Sequence, residues 1–180
     1  MDSAAVAKGS FLALSLPVIL SACQRSQQAH KRGADFRVFE AGEASDLTAI
    51  AARIIPTDST PGATEAGVIY FLDTIFAEAR RASQLTLLRE GLAALRGQLT
   101  TGVRYIHELT EAQQDQLLRD NEQTPFFTTM RYLTIAGTFS LPRYGGNRDK
   151  VGYKLIGYED RGAWSAPYGF YDADYAERGE

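Results

Sequence analysis

The sequence predicts an all-α protein, a single helical bundle of about five helices with an irregular, aromatic- and glycine-rich C-terminal extension. Two observations carry this. Apolar residues recur at three- and four-residue intervals through the middle of the chain, which is the period of one helix face. No alternating apolar–polar run of strand length interrupts them.

The first helix is predicted from Leu47, Ile50, Ala51, Ile54 and Ile55, which share one face. It has to stop at or before Ile55, because Pro56 disfavours helical geometry in the residue before it. Pro61 and Gly62 suit the centre of a type II turn. Thr64 offers a cap for the second helix, with Glu65 placed well for the helix dipole. Val68, Leu72, Ile75 and Ala79 form its stripe, and Arg80 and Arg81 fall where cations suit a helix end.

Leu85, Leu88, Leu92, Leu95 and Leu99 mark the third helix. Two heptads are too few to argue a coiled coil with another chain, so this face is expected to pack within the bundle. Gly102 is the expected stop. Thr110 and Gln113 have the spacing of a capping box opening a short helix. Pro125 can open the last helix, FFTTMRYLTIAGTF, whose apolar residues lie nearly all round and predict burial on more than one side.

The composition restricts function. The chain has 180 residues, a formal net charge of −3 and a pI near 5.5. No basic stripe is present, so nucleic acid is not an expected partner. Cys23 is the single cysteine, so neither an internal disulfide nor an iron–sulfur cluster can be built, and no CxxCH haem site exists. His30 and His107 belong to no metal-ligand motif. No GxGxxG fingerprint follows a predicted strand. The chain is therefore expected to carry neither cofactor nor metal, and to be no enzyme by itself.

Residues 11–22, FLALSLPVILSA, form a 12-residue apolar run. That is too short to span a bilayer, which needs about 20 residues, and it fits the apolar region of an export signal. It leads into Leu20-Ser21-Ala22-Cys23, which resembles the lipobox of bacterial lipoproteins. That resemblance implies cleavage before Cys23 and a lipid on its thiol. Residues 24–35 contain no large apolar side chain and read as a solvated tether. The expected organisation is a signal peptide at 1–22, a lipid-anchored tether at 23–38 and a helical domain at 39–180, periplasmic and held at a membrane.

The texture changes at Ser140. Of the 19 aromatic residues in the chain, 12 lie between Phe126 and Tyr175. Tyr and Trp supply much contact area at low conformational cost, so these rings either brace the bundle or meet a partner.

Two motifs resemble a known family. Ile54-Ile55-Pro56-Thr57-Asp58, Thr60-Pro61-Gly62-Ala63 and Ala66-Gly67-Val68 resemble the opening of gluconate 2-dehydrogenase subunit 3. Tyr144-Gly145-Gly146-Asn147-Arg148-Asp149, running into Gly152-Tyr153-Lys154-Leu155-Ile156-Gly157-Tyr158, is similar to a later motif of that family. The resemblance covers about residues 40–172. It implies a large partner subunit of the glucose–methanol–choline type that carries FAD and oxidises a sugar, sugar acid or polyol, as in gluconate 2-dehydrogenase or glucoside 3-dehydrogenase. It also implies a possible cytochrome c subunit with haem c. Many members carry a twin-arginine export signal, whereas this chain has the lipobox-like sequence instead, which favours an anchoring role. Under this reading Tyr144, Gly145, Gly146, Asn147, Arg148, Tyr153, Trp164, Tyr168, Phe170 and Tyr171 are the expected partner contacts.

Other assignments weigh less. The Tyr144–Asn147 loop could cradle a phosphate, but it lacks the GxxxxGK[ST] pattern, and a chain reversal using positive φ at Gly145, Gly146 and Asn147 explains it better. Asp58, Glu65 and Asp73 could be read as acid–base carboxylates, but turn and helix-end roles suffice. His107 has no nucleophile near it in sequence and is expected at the surface or at a cap. The alternative function is a free-standing periplasmic lipoprotein acting as a binding or assembly factor.

Overall fold

The computed structural model describes residues 36–160. Cys23, the apolar run at 11–22, and Trp164, Tyr168, Phe170 and Tyr171 lie outside the described residues. Seven α-helices are present among them, with no strand. They are α1 (Ala41–Ile54), α2 (Ala63–Ala66), α3 (Val68–Phe76), α4 (Ala82–Arg96), α5 (Glu111–Asp120), α6 (Pro125–Phe139) and α7 (Val151–Leu155). Five of the seven are nine residues or longer, and α2 and α7 are short. The all-α expectation is met.

The bundle is arranged around α1, which packs against α2, α3, α5 and α6. Leu47, Ile50 and Ala51 of α1 meet Val68 and Leu72 of α3, Met130 of α6 and Ile106 in the core, all at most 2% exposed. As the spacing predicts, α1 ends at Ile54 before Pro56, and the Thr110–Gln113 capping box opens α5. Thr124 caps α6, accepting from Phe127 N, with Pro125 in its first turn. Leu88, Leu92 and Leu95 of α4 face the core, and Leu85 and Leu99 pack against it, so the leucine stripe is internal.

Several local expectations are corrected. Gly62 has φ −103° and ψ −159°, which is extended, so Pro61–Gly62 is not a type II turn. Gly62 rather than Thr64 caps α2: its N–H donates to Glu65 Oε2 at 2.9 Å. A side chain at Gly62 would crowd the carbonyl of Ile55, which accepts from Ala63 N. The expected second helix is two. Gly67 takes the left-handed conformation (φ +69°) between α2 and α3, a geometry costly for any residue with a Cβ. That break turns the apolar stripe of Val68, Phe71 and Leu72 into the core.

α3 ends at Phe76, and Arg80 and Arg81 sit in a separate 3-10 turn, Ala79–Arg81, around Glu78. α4 ends at Arg96 with Gly97 as its cap in right-handed geometry. Gly102 turns the chain five residues further on, with φ +97°. α6 is not buried all round: Tyr132 is 70% exposed and Ile135 also faces outward. Thr134 and Thr138 occupy buried positions there, and the Thr138 hydroxyl donates to Thr134 O at 2.8 Å.

Candidate functional site

The loop after α6 is bound to that helix by its own backbone. A helix leaves its last carbonyls without intrahelical donors. Here Asn147 supplies them. Its N–H donates to Gly137 O at 2.8 Å, and its Nδ2 donates to Ser140 O at 2.9 Å. Its Oδ1 accepts from Gly152 N at 2.8 Å, tying in the start of α7. Asn147 is completely buried, and both its backbone and its amide are used. The approach is close enough that a Cβ on Gly146 would collide with Gly137 O, and one on Gly152 with Thr138 O. Gly145 lies on Tyr70 O of α3 and has φ +94°.

Gly145 and Asn147 thus take the positive φ expected of them, and Gly146 does not; Asp149 and Lys150 do instead. Asn and Asp tolerate this region and Lys less so. Lys150 N is held by Asn147 O at 2.9 Å. The amides of Gly145 and Asn147 already donate to Pro142 O and Gly137 O, which leaves neither for a phosphate.

The loop gathers the six described candidate contacts and divides them by role. Gly145, Gly146 and Asn147 build the clasp. Tyr153 is buried, edge-on to Tyr158 at 4.8 Å between ring centroids. Arg148 lies with its guanidinium carbon 4.9 Å from the centroid of the Tyr70 ring, and its fork covers Gly67. Tyr144 faces outward beneath Arg143, whose Nη2 donates to its hydroxyl at 3.0 Å. Leu141, Leu155, Ile156 and Tyr158, in this loop and in and just after α7, are also exposed, Ile156 by 61%.

A second constellation has no counterpart in the sequence reading. Asp46, on α1, is completely buried. It accepts from Arg96 Nε of α4 at 2.7 Å and from His107 N at 3.0 Å, and His107 Nδ1 lies 2.6 Å from its Oδ1. Arg96 also donates to Gly42 O and covers the Tyr105 ring, which stacks on His107. His107 lies at the surface, as expected, and its ring still reaches the buried Asp46 carboxyl group. The signal for Asp46 was faint: it shares a helix face with Ile50 four residues on. Its partners lie 50 and 61 residues away.

The remaining carboxyls have structural partners. Asp73 is buried and accepts from Arg37 N and Val38 N, fastening the entering chain to α3. Asp58 accepts from Thr60 N at 2.8 Å, which holds its carboxyl below the usual range. The Thr57 hydroxyl donates to Glu65 at 2.6 Å and lowers Glu65 in the same way. Arg53 of α1 forks onto Asp115 and Glu111 of α5, and its hydrogen bond lowers Asp115. Among the described residues, no three or more His, Cys, Asp or Glu side chains converge as a metal site. No described helix is long and apolar enough to cross a membrane.

Fold and loop together define a small all-α domain whose glycine–asparagine clasp ties the chain after α6 back to that helix and to α7. A family model described as gluconate 2-dehydrogenase subunit 3 matches residues 41–160, from the first residue of α1 to just beyond α7. The chain belongs to that family, and so is a subunit type of a dehydrogenase complex. No curated protein and no solved structure matches it.

Proposed function

We propose that the chain is the non-catalytic small subunit of a periplasmic dehydrogenase complex. Its partner is a large FAD-carrying subunit of the glucose–methanol–choline type that oxidises a sugar, sugar acid or glycoside. A cytochrome c subunit with haem c relays the electrons. The chain itself contributes docking and anchoring, the latter through a lipid on Cys23, and brings no redox group.

The observation that carries this reading is the exposure of Leu141, Tyr144, Ile156 and Tyr158, in and after the clasped loop, on a domain of a dehydrogenase-subunit family. Exposed apolar surface on a rigid base marks interaction sites. The clasp immobilises it before any partner arrives, which lowers the ordering cost of binding. The aromatic residues Trp164, Tyr168, Phe170 and Tyr171 follow in sequence and are the further partner contacts of this reading.

The test is to express a large FAD-dependent subunit of this type from the same source, with and without this chain. Co-purification and sugar-dehydrogenase activity that depends on the chain are expected. Full activity without it, and no co-purification, would return the chain to the free-standing lipoprotein reading.

A further inference from the structure

Between α4 and α6 runs a groove of about 810 Å³, inside the roughly 300–1,000 Å³ of small-molecule sites. Leu88, Leu95, Phe126 and Leu133 form its apolar floor. Gly91 lets the Phe126 ring lie against the α4 backbone; a Cβ there would strike that ring. Leu87 (66% exposed) and Tyr132 stand at the mouth. Such exposure of large apolar side chains beside an apolar trough calls for a ligand.

The polar groups lie at the ends and rim. Asn121 and Thr124 close one end. At the other stand Arg81 and Gln84. Arg81 Nη1 donates to Gln84 Oε1 at 3.0 Å, while its buried Nε makes no hydrogen bond. The nearest carboxylate, Glu78, is 3.5 Å from it and is drawn to Arg80 at 2.6 Å. Two arginines therefore share one glutamate, leaving one positive charge in excess at this end. Glu90 borders the exposed rim further along α4. From Arg81 to Ala94 the groove follows 13 residues, about 20 Å at the helical rise.

We propose that this groove binds a long-chain fatty acid, its carboxylate on Arg81 and its tail along the α4–α6 trough. Apolar length with a cationic end at Arg81 is what the lining offers, with Glu90 out on the rim. A bound carboxylate would pair with the exposed part of the Arg81 guanidinium, and a charge-assisted pair of this kind is worth more than a neutral one. The site is separate from the exposed residues assigned to the large subunit and does not depend on that assignment.

The experiment uses the full chain and oleate, with oleyl alcohol as the uncharged probe, followed by displacement of a fluorescent fatty acid. Saturable one-to-one oleate binding below its micelle concentration is expected. Arg81→Gln should weaken oleate about tenfold or more and leave oleyl alcohol unchanged, the size expected for loss of a charged hydrogen bond. Thr129→Trp, at an exposed lining position, should block both ligands without altering the circular dichroism spectrum. The proposal is overturned if oleate does not bind saturably, if Arg81→Gln leaves its affinity unchanged, or if Thr129→Trp still binds it. Binding only to phospholipid vesicles, with free oleate inert, overturns it too.

Discussion

Asp46 and His107 stand 61 positions apart in the chain, yet their side chains meet at 2.6 Å. With Arg96 they join α1, α4 and the turn before α5 around one wholly buried carboxyl group. Removing one member of a buried ionic group strands the others. Asp46→Ala is expected to cost about 3 kcal/mol, because the His107 N–H and the Arg96 guanidinium both lose their acceptor. Urea unfolding read by circular dichroism measures this, and a loss under about 1 kcal/mol would show that water replaces the carboxyl group.

Gly146→Ala should be among the most damaging single-methyl changes. The added carbon would collide with the Gly137 carbonyl, which is backbone and cannot rotate away. About 3 kcal/mol of destabilisation is expected. Gly97→Ala is the contrasting change. Gly97 has ordinary helical angles and room for a Cβ, so stability should rise by about 0.5 kcal/mol. Parallel thermal melts of the two variants decide both.

Acid should loosen α5 from α1. Arg53 holds the Asp115 carboxyl below its ordinary value. A depressed native pKa stabilises the fold above the unfolded pKa, near 3.9, and that contribution disappears as pH falls through the native value. The pair is partly exposed, so the effect is at most about 1 kcal/mol. The stability difference between the parent chain and Asp115→Asn should stay flat from pH 7 to 5, begin to shrink near pH 4 and vanish only below the native Asp115 value. A difference that grows on acidification would contradict the pairing.

The exposed apolar residues can be separated from the fold they stand on. Ile156 is 61% exposed, so Ile156→Asp should change stability by less than about 0.5 kcal/mol. A charge placed in an interface core should nonetheless cut recovery of the large subunit at least tenfold, because it is desolvated unpaired. Co-purification at matched expression measures this. Tyr153→Ala is a poor substitute, since Tyr153 is buried against Tyr158 and its loss would disturb the domain.

Cys23→Ser should move the chain from the membrane to the soluble periplasmic fraction, because two acyl chains are what make such anchoring stable. Mass spectrometry of the mature amino terminus gives the direct reading. An unmodified Met1 or Asp2 would remove the anchor from the account.

Local chemistry was readable in the sequence where the interaction is local. The end of α1 before Pro56, the Thr110–Gln113 box and Pro125 in the first turn of α6 each depend on residues within a turn of one another. The Gly67 break escaped because Ala63–Ala66 and Val68–Phe76 read as one amphipathic run; only the left-handed angle at Gly67, over which Arg148 lies from eighty-one residues later, separates them. The 144–158 motif could be recognised, but not how it divides. Glycine and asparagine indicate a turn, and whether their amides face a ligand or a helix end depends on where α6 stops. Asp46 and Arg81 were invisible for the same reason: their partners, or the lack of one, come from the tertiary fold.

The seat of Asn147 admits an amide and rejects its nearest isostere. Ser140 O needs a hydrogen from that side chain and Gly152 N needs a lone pair. A carboxylate has lone pairs alone, and would set like partial charges face to face in a site closed to water. Spontaneous conversion of this one asparagine to aspartate would therefore unlatch the chain after α6.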